Sequence, residues 1–164
     1  MEQNNKYEGF TLTLALVDAL PVLLFGGSSI LLGILFKSPL FITGACLVFL
    51  GGFLKVMWKI ILAVKKKDVK FFNKQMKYTM LAGLLLIIIS VLCNLKRISL
   101  PAIGAALVSM PACIFFALWV CGMVAMGFLG KKLDSKVAKN NWIEQSVNGF
   151  AQLCLFAALL ITAC

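Results

Sequence analysis

Residues 49–68 read FLGGFLKVMWKIILAVKKKD, and this stretch decides how the rest of the chain is read. Its first sixteen residues are apolar except for Lys55 and Lys59, and its end is a run of lysines. An apolar run that closes on a cluster of cations is the pattern of a helix crossing hydrocarbon and emerging at a charged interface. Lysine is costly within such a run, so Lys55, several residues above the terminal cluster, needs a partner or a route to water.

The chain around this stretch is of the same kind. Of 164 residues, 62% are hydrophobic, and the mean hydropathy is +1.00, beyond what a soluble domain can bury. About 20 apolar residues in helix span about 30 Å of hydrocarbon. Five segments meet that length: roughly 11–36, 40–63, 79–95, 102–129 and 142–163. They occupy nearly the whole chain, so residues 1–164 read as one transmembrane domain, an all-α bundle of five helices. The first segment is too long for a signal-peptide core and its flank MEQNNKYEGF lacks a basic leader region, which points to a permanent helix. No lipidation motif is expected at either end.

The net charge is +10, from 16 Lys and Arg against 6 Asp and Glu. In a soluble protein this excess would suggest nucleic acid; here its distribution argues against it. Lys6, the link with Lys65, Lys66, Lys67, Lys70, Lys74 and Lys77, and the link with Lys131, Lys132, Lys136 and Lys139 all fall on one side of a five-helix serpentine. The other side carries Lys37, Lys96 and Arg97. The excess places the N-terminus in the cytoplasm and the C-terminus outside, in a multi-pass protein of the cell membrane. The first link also contains Phe71, Phe72 and Tyr78, a mixture suited to headgroup level. There Lys65, Lys66, Lys67 and Lys70 serve as a topology signal or attract anionic lipid.

Six cysteines sit in apolar context without a C-x-x-C pair and read as small packing residues. A disulfide among Cys46, Cys93 and Cys164 is the alternative, since all three fall toward the outer face. The chain has no histidine, which removes His-based metal sites and Ser-His relays. Neither a metal nor a cofactor is expected.

Depth brings the polar residues together. Lys55 lies about nine residues, or about 13 Å at 1.5 Å per residue, from the cytoplasmic end of helix 2, and Asp18 lies about 10 Å into helix 1 from the same side. An Asp18–Lys55 ion pair is expected, because either charge alone costs roughly 2.5–3.5 kcal/mol in mid-membrane. Gly51, Lys55 and Lys59 recur every four residues on one face; Lys59, being shallower, is expected to snorkel toward headgroups. Helix 5 opens with NNWIEQSVNGFAQLC, where Glu144, Asn148 and Gln152 form an inward stripe beside Gln145. Asn141 and Glu144 also fit a capping box with Asn141 as N-cap, and the amides fit either cross-helix hydrogen bonding or ligand contact. Pro21, followed by GGSS at 26–29, and Pro111 are expected to kink helices 1 and 4.

These features support two expectations. One is a transporter or channel subunit with a polar site of Asp18, Lys55, Glu144, Asn148 and Gln152. The other is a non-catalytic membrane factor in which those residues lock the bundle and the basic face recruits lipid or a partner. Glycine-lined faces fit a homo-oligomer or a membrane partner, and an enzyme is not expected. The orientation gives a direct test. With the native cysteines removed, a cysteine replacing Asp134 should resist an impermeant thiol reagent in intact cells and react after permeabilisation; labelling in intact cells would reverse the topology.

Overall fold

The structure, a computed structural model, describes residue 9 and residues 11–65, 69–94, 104–105, 107–134 and 137–163. Lys6, Lys66, Lys67, Asp68, Lys96, Arg97, Lys136 and Cys164 lie outside the described residues, and of Lys70 only the backbone is described. Among the described residues are five long helices: α1 Leu12–Phe36, α2 Pro39–Lys65, α3 Lys70–Asn94, α4 Ala112–Lys132 and α5 Ala138–Ala163. Each is long and apolar enough to cross a membrane.

The helix ends follow local chemistry. Thr11 caps α1, its hydroxyl accepting from the Leu14 N–H at 3.3 Å, which satisfies one of the donors a helix start leaves free. Lys37 ends α1 in the left-handed region at φ 45 and donates its N–H to the Gly33 carbonyl. Ser38 then opens α2, accepting from the Phe41 N–H through its hydroxyl, with Pro39 at the first helical position where a missing N–H costs nothing.

Two boundaries differ from those the sequence suggests. α3 begins at Lys70, nine residues before the apolar segment, because lysine, glutamine and methionine are good helix formers and the basic link continues the helix into polar surroundings. Hydropathy marks only the apolar part of it. α4 begins at Ala112 with Pro111 at its cap position. A segment read as one helix over 102–129 with a mid-helix kink is therefore broken there, since proline disfavours helical geometry in the residue before it and offers no N–H. Pro21, by contrast, lies inside a continuous α1.

Packing proceeds in the order α3, α2, α1, α5, α4. α1 is central, and the flanking helices α3 and α4 leave most of their apolar side chains exposed, among them Leu81, Leu85, Val124 and Phe128. A close backbone approach joins α2 to α3. A Cβ on Gly44 would stand 2.8 Å from the Gly83 carbonyl oxygen, and a Cβ on Gly83 would stand 2.6 Å from that of Gly44. Two glycines facing each other let the helix axes meet at backbone contact, a device suited to lipid, where close van der Waals packing replaces the hydrophobic effect between helices. At the far end of the same interface the Ser38 and Ser90 hydroxyls hydrogen-bond at 2.8 Å, both buried.

Near the basic end, Leu14, Trp58 and Leu62 form a buried apolar cluster with Phe72 and Ala138 packed on it. It joins α1, α2, α3 and α5. Phe72, on the polar first turns of α3, thus has a core role.

Gly83→Ala should lower stability by about 1–3 kcal/mol, the range for overpacking, whereas Gly127→Ala, whose added Cβ would meet nothing within 4 Å, should leave it unchanged or raised. Equilibrium unfolding in detergent compares the two, and equal effects would contradict the close α2–α3 contact.

Candidate functional site

The polar site is organised by one ammonium group. Lys59 Nζ lies 3.0 Å from Asp18 Oδ1 and donates to Asn141 Oδ1 at 2.8 Å. Asp18 is on α1, Lys59 on α2 and Asn141 on α5, so three helices are joined at one nitrogen. Asp18 is 2% exposed and Lys59 1%.

The ion pair differs from the expected one: Asp18 pairs with Lys59, while Lys55 is half-buried and joins no ion pair among the described residues. The helix register explains why. Gly33 faces Ile42, Gly26 faces Phe49 and Gly52 faces Val22, which puts Asp18 level with Val56 and Met57. Lys55 does match Asp18 in depth. It sits on the wrong face, however, because Gly52, Val56 and Lys59, separated by four and three residues, line the side of α2 toward α1, whereas Gly51 faces Thr79 and Met80 of α3.

Side-chain direction completes the reason. Cβ atoms tilt toward the helix N-terminus, and α1 and α2 are antiparallel. The Lys59 stem therefore leans deeper into the chain's apolar middle while the Asp18 carboxylate leans toward the basic end, and the two converge. Lys55 leans away from Asp18. Snorkelling of Lys59 is also blocked by Leu14 and Leu62, which are buried on its basic-end side.

Helix α5 supplies Asn141, Glu144 and Gln145, all buried. Since α5 starts at Ala138, Asn141 is a residue of the first turn and not the N-cap expected from the capping-box pattern; its amide oxygen serves Lys59 instead. Glu144 lies within electrostatic range of Lys55, Lys59, Asp18 and Asp134. Its Oε1 and the Asp18 Oδ2 are buried without hydrogen-bond partners among the described residues.

The outer part of the expected stripe faces elsewhere. Gln152 is half-buried, directs its Nε2 to Met123 Sδ on α4 at 3.8 Å, and leaves Oε1 without a partner among the described residues. Asn148 is half-buried, next to Gly149, which packs against Leu20 and Pro21 of α1. The structure thus gathers Asp18, Lys59, Asn141 and Glu144 with Lys55 at the margin, and separates Gln152 from them. Lys59 as partner and Asn141 as its second acceptor are the residues that depth matching misses; the Gly52–Val56–Lys59 periodicity carries the signal for the first. Among the described residues no group of three or more His, Cys, Asp or Glu side chains could hold a metal ion, and the described cysteines are free thiols.

Searches of protein-family models, curated proteins and solved structures return no match to this chain.

A double-mutant cycle tests the pair. Asp18→Asn and Lys59→Met should each cost about 3–5 kcal/mol, because each leaves a buried partner uncompensated, and the double variant should lose much less than the sum. Lys55→Met should cost less than either. Additive losses, or a larger loss for Lys55→Met, would contradict the assignment.

Proposed function

We propose that this chain is a non-catalytic multi-pass membrane protein in which the Asp18–Lys59–Asn141 group is a structural lock and the exposed surfaces do the binding. The observation that carries this reading is the near-complete burial of Asp18 and Lys59 between three helices. A site built to exchange a ligand needs access, and a charge pair closed under Leu14, Trp58 and Leu62 serves better to fix helix register.

The basic end supports a surface role. Lys65, Lys74, Lys77, Lys131, Lys132 and Lys139 are exposed there, beside Phe71 and Tyr78, which are 64% and 73% exposed. Lysines and aromatics together suit the headgroup level of an anionic leaflet, with each cation near the surface contributing about 1 kcal/mol. On this reading the basic end is cytoplasmic, the chain resides in the cell membrane, and its partners are anionic lipids and a membrane protein or second copy packed on α3 or α4.

A second reading, a transporter or channel subunit, is favoured by one observation: two carboxylate oxygens, Asp18 Oδ2 and Glu144 Oε1, are buried without partners among the described residues. Intramembrane carboxylates of that kind mark ion and proton paths in many transporters.

Flux separates the two. Vesicles carrying the full chain, loaded with indicators for protons, sodium and potassium, should pass these ions no faster than protein-free vesicles. Flux that Asp18→Asn removes while the helical signal and the unfolding midpoint stay near those of the parent would establish the transport reading in its place.

A further inference from the structure

A further feature lies away from the Asp18–Lys59 pair. A groove of about 890 Å³ runs between α1 and α2, on the half of the molecule away from the basic end. Its floor and walls come from Gly26, Ser29 and Gly33 of α1 and from Ala45, Cys46 and Phe49 of α2. The volume is in the range of sites that hold a single small molecule.

We propose that this groove binds the acyl chains of one phospholipid, whose phosphate is held by Lys37. The inference rests on the reading of the chain as a multi-pass membrane protein. Its length is the first argument. The lining extends on α1 from Leu23 to Ile34 and on α2 from Leu50 to Ile42, which at 1.5 Å per residue is about 16 Å on α1 and about 12 Å on α2. That is close to half of a hydrocarbon core about 30 Å thick, the depth of one leaflet. Beyond Leu23 and Leu50 the lining ends, and Val22 packs on Gly52. A groove that ends at mid-bilayer fits an acyl chain; a spanning helix of a second copy would need it to continue.

Charge is the second argument. Lys37 is exposed at the open end, one turn past Gly33 and between the lining residues Ile34 and Ile42. Its backbone is left-handed at φ 45, a conformation that glycine adopts freely and that costs other residues about 1–2 kcal/mol. Glycine would serve the turn better. Lysine there places a cation where the phosphate of a lipid lying in the groove would sit.

The test uses the full chain in nanodiscs of phosphatidylcholine containing phosphatidylglycerol, released and weighed by native mass spectrometry. The wild-type chain should retain one phospholipid. Cys46→Trp, which fills the groove from an exposed lining position, should reduce the retained fraction at least tenfold, and Leu50→Trp provides the same occlusion should the first variant fail to fold. Lys37→Gln should reduce retention by about fivefold, the equivalent of one headgroup contact. No retained lipid in the wild-type chain, equal retention after Cys46→Trp and Leu50→Trp, or a wild-type dimer without lipid that those substitutions dissociate would each overturn the proposal. Extraction of the wild-type chain from vesicles by alkaline carbonate would overturn the membrane reading as well, which distinguishes that failure from failure of the groove alone.

Discussion

The fold depends on how the Lys59 ammonium is satisfied. A lysine within an apolar helix must reach water or find acceptors, and this one is closed from the basic end by Leu14 and Leu62. Asp18 and Asn141 provide the acceptors from α1 and α5. Because the ammonium bonds in two directions, the position of α2 along its axis and the rotation of α5 about its own are fixed together. A slip of one residue between α1 and α2 would strand both charges, at a cost of about 3–5 kcal/mol, and a slip of α5 would take the Asn141 acceptor from the ammonium.

The remaining contacts fit around that constraint. Gly44 and Gly83 bring α3 to backbone contact on the other side of α2, and the Ser38–Ser90 hydrogen bond pins the end opposite the lysines. α4 is held through α5, where a Cβ on Gly122 would meet that of Ala151 at 2.7 Å. Polar locks therefore stand at two depths, with small residues between them. Away from the locks, α1 and α2 stay in contact at Gly26–Phe49 and Gly33–Ile42 and leave an apolar groove along their seam.

Much of this was legible in the residues. Apolar length alone marks five helices, and α1, α2 and α5 begin and end within a few residues of where hydropathy puts them. Hydropathy shortens α3 because the helix's first turns are polar, and apolar length reports what is greasy, not what is helical. Hydropathy lengthens α4 because an apolar window runs through Pro111, where the helix in fact begins. At the site, Asp18 was identifiable as a charge requiring a partner, and matched depth correctly narrowed the search to α2. Choosing between Lys55 and Lys59 needed the azimuth of α2, which the Gly52–Val56–Lys59 spacing contains, and the opposite tilts of side chains on antiparallel helices. The helix-cap pattern conceals the role of Asn141, and spacing alone groups Gln152 with the site although it faces α4.

The central claim is that one nitrogen ties α1, α2 and α5. Its most direct test is a solid-state NMR measurement on the full chain in lipid bilayers, with lysine side-chain nitrogens labelled with ¹⁵N and aspartate carboxyl carbons with ¹³C, and with Lys55→Gln used to assign the signals. Strong dipolar coupling of the Asp18 carboxyl to the Lys59 Nζ, retained in Lys55→Gln, is the predicted result. Coupling that disappears in Lys55→Gln would return the ion pair to Lys55 and contradict the register described for α1 and α2.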